Sequence, residues 1–228
     1  MMQFTYLLIN FFTVIICFIF SFHPKIKFNR FFKAFLLSSV FVALFFVGWD
    51  MIFTAKNVWW FSHQYTIGFS VYNLPIEEIL FFICIPFSCV FTYFCLDKFF
   101  DFNWVKKFEN FALIFMVISL FAFAIYFNQQ LYTFTAFLTC GFSILALKYI
   151  LKADWLGKAL VIYILLSPGF LVVNGLLTGT GLPSPVVNYN AEEFMGFRIL
   201  TIPVEDFFYG FELILWNIFF FLKFKKYE

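Results

Sequence analysis

A chain of 228 residues that is 64% hydrophobic and 12% charged, with a mean hydropathy of +0.93, lacks the polar surface of a soluble globule, whose charged share is roughly twice as large. Its formal net charge of +2 is small, and no Lys or Arg run is interleaved with aromatics, so nucleic acid is excluded as a partner. What remains is an integral membrane protein whose solvent is the lipid bilayer.

Apolar runs of about 20 residues, the length that crosses a bilayer as a helix, fall at 4–22, 33–53, 75–96, 109–127, 131–151, 157–178 and 203–222. The predicted fold is therefore all-α, with seven transmembrane helices. The first run has no basic segment before it and no small-residue cleavage site after it, which predicts a retained span. Of the 15 Lys and Arg residues, only Lys56 and Arg198 fall in the loops after spans two, four and six. The others, among them Lys25, Arg30, Lys98, Lys152 and Lys226, gather in the alternate loops and the C-terminal tail. Basic residues stay on the cytoplasmic side, so the expected orientation in the cell membrane is N-terminus outside and C-terminus in the cytoplasm.

The chain repeats itself. Phe46-Val47-Gly48-Trp49-Asp50 closes the second run as Phe170-Leu171-Val172-Val173-Asn174 closes the sixth, which sets Asp50 opposite Asn174. Leu74-Pro75-Ile76-Glu77-Glu78 opens the third as Ile202-Pro203-Val204-Glu205-Asp206 opens the seventh, and Gly68 and Gly196 stand at the same distance before the two prolines. An intervening span restores direction, so two parallel three-helix repeats are expected, at 1–100 and 131–228, joined by a linking span at 101–130; inverted repeats would put the motifs on opposite faces. The loops at 54–74 and 179–202 carry Trp59, Trp60, Tyr65 and Tyr189. Such rings suit either an interfacial aromatic belt or a cover over a substrate entrance.

The paired acids are the candidate chemistry. Proline at a first helical position and acids in a first turn make a good helix start, so Pro-x-Glu-Glu can be a purely structural signal. Against that, Phe81-Phe82 and Phe208-Tyr209 follow within three residues, and ionisable groups this close to hydrocarbon point to function. On the last helix Glu205, Phe208, Tyr209 and Glu212 are predicted to share one face, with Cys84 standing where Glu212 would be in the first repeat. Two coupled carboxyls can hold one proton, so that one acts as general acid and the other as base. Of the 43 phenylalanines, most are expected to meet lipid or pack between helices. Some suit a pocket for a long polyene or a carbocation, which ring faces attract.

These residues resemble the small integral-membrane lycopene cyclases, found as two subunits or as one fused chain. The resemblance rests on Trp49-Asp50, the Trp59 region, Ile67-Gly68, Pro75-Ile76-Glu77-Glu78 with Phe81-Phe82, and Pro203-Val204-Glu205-Asp206, and it covers nearly the whole chain. It implies catalytic roles for Glu77, Glu78, Glu205 and Asp206. Trp49, Asp50, Phe81, Asn174, Phe208, Tyr209 and Glu212 become candidates for binding substrate or supporting the acids. The implied reaction is redox-neutral conversion of the ψ-ends of lycopene to β-rings, by protonation, cation cyclisation and deprotonation, and it leaves room for association with other carotenoid-pathway enzymes. No Gly-x-Gly-x-x-Gly follows a strand, so no flavin or other cofactor is expected.

No metal is expected either. The five cysteines lack Cys-x-x-Cys spacing and are odd in number, and His23 and His63 lie in loops on opposite sides of the membrane. Two other readings stay open on the residues alone. A carrier or proton-coupled transporter also uses membrane acids and repeats, although its acids would sit at the midplane. A membrane prenyltransferase would need Asp-rich repeats to hold Mg²⁺ on a diphosphate, and none lies on a span.

Overall fold

The computed structural model describes residues 2–226. Among them, seven helices are long and apolar enough to cross a membrane: α1 Thr5–Ser21, α2 Phe32–Ala55, α3 Ile76–Phe99, α4 Lys106–Tyr126, α5 Leu131–Leu145, α6 Leu156–Leu177 and α7 Glu205–Lys225. A π-helical turn over Ala146–Ile150 prolongs α5. In lipid every backbone polar group needs an internal partner, which a helix supplies from its own turns. The outward residues, such as Leu44, Phe45, Phe111 and Ile118, are large, apolar and exposed, as a lipid-facing wall requires. This is a multi-pass membrane protein.

The two repeats pack alike at their centres. Helix α1 lies on α3 as α5 lies on α7, and α3 and α7 meet in the middle of the bundle, while α4 covers α5 and α6. The symmetry then breaks, because α2 packs tightly on α7 whereas its counterpart α6 touches α3 much less. The slack on that side leaves room for a cavity.

At the lysine-rich end the helices are tied by rings and ion pairs. Lys148 pairs with Glu109, and Lys158 with Asp97. Phe28, fully buried, packs its ring against Phe32, Phe87, Phe91, Phe94 and Phe221 with centroids 5.3–6.1 Å apart, which joins α2, α3 and α7. Truncating such a ring leaves a cavity that the rigid surroundings do not refill. Phe28→Ala is therefore expected to destabilise the protein by about 3–5 kcal/mol, read as a lower midpoint of thermal unfolding in detergent, with an unchanged midpoint as the contrary result.

The opposite end is built from the two long loops. Each folds into a small hairpin just before its motif helix: β2 Ser70–Val71 pairs with β3 Leu74–Pro75, and β5 Arg198–Ile199 with β6 Ile202–Pro203. The backbone repeats as well, with Gly68 and Gly196 both at φ +83°, and Tyr72 and Leu200 at φ 59° and 57°. Upstream, β1 Trp59–Phe61 and β4 Val187–Tyr189 pair antiparallel, one strand from each loop, with Trp59 opposite Tyr189. The loops thus form one roof stitched across the two repeats.

Candidate functional site

The prolines sit slightly differently from the sequence expectation. Pro75 ends β3 and caps α3 at φ −64°, ψ 147°, and Pro203 ends β6 two residues before α7 begins. A proline needs no N–H partner and is at home at the end of a short edge strand. The chain therefore passes from strand to helix within one or two residues, and the acids begin the first turn.

Consecutive helical residues point about 100° apart, so the two acids of each motif look in different directions. Glu77 and Glu205 are fully buried and turn back towards their own loops. Glu77 Oε1 accepts the Ile67 N–H at 2.7 Å, and Glu205 Oε1 accepts the Met195 N–H at 2.9 Å, each across ten residues. Glu205 Oε1 also accepts the Thr133 hydroxyl at 2.5 Å. In both residues the second oxygen, Oε2, is buried without a partner.

Glu78 and Asp206 face the other way, into a cavity of about 450 Å³. Glu78 Oε2 accepts the Tyr6 hydroxyl at 2.5 Å, and Asp206 Oδ1 accepts the Tyr132 hydroxyl at 2.5 Å. The two tyrosines are equivalent, each the second residue of its repeat's first helix. Asp206 Oδ2 takes a further hydroxyl from Tyr189 in the roof at 2.8 Å. Burial, and then the neighbouring Asp206, hold the Tyr189 hydroxyl protonated well above its ordinary range, so it remains a donor at any physiological pH. In the first repeat the cavity is lined by a second carboxyl, Asp50. Asp50 also accepts the Tyr209 hydroxyl at 2.8 Å, from α7 of the other repeat.

The remaining candidates divide. Phe81 and Asn174 line the cavity, and Asn174 also gives its backbone carbonyl to Thr178. Trp49 lies behind the site, stacked on Phe46 and edge-on to Tyr209. Phe208 packs on Phe137 at 5.0 Å. Glu212 accepts the hydroxyls of Thr139 at 2.8 Å and Ser143 at 2.7 Å, between α5 and α7. The expected shared face on α7 holds for Glu205, Phe208 and Glu212, which all look towards α5. Tyr209, one step further round, faces α2 instead.

Tyr6 and Tyr132 were not singled out by the sequence, although their matching places in the duplicated register are a signal that alignment of the repeats would expose. Trp59 and Tyr189 line the cavity from the roof, so the covering reading of the loops applies to them, while Trp60 is exposed. Below the acids the walls are apolar, with Ile85 on α3, Phe170 and Val173 on α6, and Leu213 and Ile214 on α7. The lining continues along α3 from Glu78 to Thr92, about 21 Å at 1.5 Å per residue. Val172 both lines the cavity and is exposed, so the cavity opens sideways through the wall of the bundle beside α6. Among the described residues no group of three or more His, Cys, Asp or Glu side chains is placed to hold a metal ion.

A membrane bundle with a long apolar cavity that ends in carboxyls and tyrosine hydroxyls is suited to proton chemistry on an elongated hydrocarbon. The chain belongs to the lycopene cyclase family, whose model matches residues 3–96 and 129–224, one stretch in each repeat. No curated protein and no solved structure matches it. It is accordingly an enzyme of carotenoid cyclisation, and its substrate is a carotenoid.

Proposed function

We propose that this enzyme converts the acyclic ψ-ends of lycopene to β-rings, forming β-carotene by way of monocyclic γ-carotene with no net redox change. The observation that carries this reading is the convergence of one acid from each repeat, Glu78 and Asp206, on one apolar cavity. Asp50 and Glu78 together form the acid: two carboxyls that line one cavity share a proton, as coupled carboxyl pairs do. That proton is delivered to the terminal double bond of the ψ-end. The tertiary cation so formed is attacked by the neighbouring alkene, whose π electrons close the six-membered ring. Asp206 then removes a ring proton, and the C–H electrons become the new ring double bond. One proton enters and one leaves, so substrate and product have the same formula.

The cation needs negative surfaces and no water. Trp59, Phe81, Tyr132 and Tyr209 line the cavity, and the faces of such rings attract positive charge. The Tyr132 and Tyr189 hydroxyls orient both oxygens of Asp206 towards their partners, while the sideways opening lets a long polyene enter from lipid. One cavity serves one end at a time, so a second ring requires the product to leave and return reversed.

In this reading the halves, 1–100 and 131–228, are joined by the linking span at 101–130, and each supplies one part of the acid–base pair. The acids stand at the outer face of the membrane, with the C-terminus in the cytoplasm. The test is pigment chromatography in a host that accumulates lycopene. Expression of the chain is expected to yield β-carotene, preceded by γ-carotene. Unchanged lycopene beside a well-inserted protein would overturn the assignment and favour a carrier.

A further inference from the structure

The first acid of each motif has no part in the cavity, yet both are wholly buried and make the same bond. We infer that Glu77 and Glu205 are positioning residues, a pair of latches that hold the roof shut against water while the cation exists. The inference rests on the cyclisation reading for its chemical consequence, and on geometry alone for the latch.

The geometry is duplicated in detail. Glu77 takes the N–H of Ile67 and Glu205 that of Met195. In each loop the next residue is a glycine at φ +83°, and the residue after that accepts an N–H from the start of the motif helix, Ile76 to Phe69 at 3.0 Å and Val204 to Phe197 at 3.1 Å. A loop turned this sharply leaves the N–H before the glycine facing inwards, where only the carboxyl meets it. Upstream of the two latches lie β1 and β4, paired to each other, which carry Trp59 and Tyr189 over the reacting end. Freeing either latch releases the strand that half contributes.

The role calls for a hydrogen-bond acceptor and not for a titrating group. Glutamine keeps the acceptor oxygen and places its NH₂ where each carboxyl has an oxygen without a partner, so it breaks no bond that the glutamate makes. Alanine removes the latch. With the roof ajar, water reaches the tertiary cation: a water lone pair forms the C–O bond, a proton passes to bulk water, and the product is a tertiary alcohol heavier than lycopene by one water. No oxidant or reductant is involved.

The experiment compares Glu77→Gln, Glu205→Gln, Glu77→Ala and Glu205→Ala with the unaltered chain. Amide hydrogen exchange is followed over residues 59–70 and 187–199, and pigments are analysed by chromatography and mass spectrometry. The glutamine variants are expected to keep exchange protection and to cyclise within about threefold of the unaltered chain, since a neutral acceptor still meets the buried donor. The alanine variants are expected to lose protection in their own loop and to raise the ratio of tertiary alcohol to ring roughly tenfold or more, as water exclusion fails. Protection that survives in the alanine variants overturns the latch even if no chain makes rings, so the exchange arm separates this inference from the cyclase assignment. Loss of cyclisation in the glutamine variants, or fewer rings without alcohol in alanine variants whose roof exchanges freely, also overturns it. If alanine prevents accumulation of the chain, the glutamine arm decides alone.

Discussion

Glu78→Gln is expected to abolish ring formation, lowering cyclised pigment per unit of protein by about 10²–10⁴, the range that a positioned general acid contributes. Glutamine is nearly isosteric and still accepts the Tyr6 hydroxyl, which Glu78 takes at 2.5 Å, so packing and insertion are preserved. What it cannot do is share a transferable proton with Asp50, which lines the same cavity. The comparison with its neighbour sharpens the test. Glu77→Gln makes the same chemical change one residue away, on a side chain that meets only backbone N–H. Chromatography of pigments, normalised to protein in the membrane, measures both. A Glu78→Gln chain that cyclises at more than roughly a tenth of the normal rate would remove Glu78 from the acid role.

Asp206→Asn is the second large effect, an expected loss of about 10²–10³ in cyclised product, because the cation must lose its proton to a base within reach. Asp206 accepts two hydroxyls, from Tyr132 at 2.5 Å and Tyr189 at 2.8 Å. Asparagine offers one acceptor oxygen and turns an NH₂ towards the other hydroxyl, so it loses a hydrogen bond as well as the base. Asp206→Glu keeps the base and moves it by one methylene, about 1.5 Å of reach. The expected result is partial activity with a changed choice of the proton removed, from a ring carbon or from the methyl beside the cation, seen as ε- or γ-rings beside β-rings. Unchanged yield and ring type in both variants would assign deprotonation to another group.

The two substitutions act on different repeats, which is where the asymmetry of the chain matters. Asp50 in the first repeat has Asn174 as its counterpart in the second. The first repeat thus brings two carboxyls, Asp50 and Glu78, to the cavity, whereas in the second Asp206 meets hydroxyl donors. In the proposed mechanism the duplicated scaffold divides into an acid half and a base half.

Much of this was legible in one dimension. The seven spans follow from the roughly 20 apolar residues that a bilayer demands, and expected and observed helices differ by only a few residues. The first run, expected at 4–22, is α1 Thr5–Ser21, and the fourth, expected at 109–127, is α4 Lys106–Tyr126. The repeat and its two acidic motifs were equally plain, because duplicated Pro-x-Glu-(Glu/Asp) is a local pattern. Which acid of each motif enters the cavity was not. Nor were Tyr6 and Tyr132, which meet their acids across 72 and 74 residues, or Tyr209, which crosses to Asp50 over 159.

By itself, then, the sequence determined a membrane-spanning helical protein, its duplication and the place of its paired acids at the start of two spans. These are properties of length, hydropathy and repetition along the chain. The tertiary structure decided which acid of each pair enters the cavity, that one cavity serves both repeats, and that the loops close over it as a roof. The reason is rotational: adjacent helical residues point about 100° apart, and how a helix is turned about its axis is set by packing against helices distant in the chain, as α1 sets α3, α5 sets α7 and α2 meets α7.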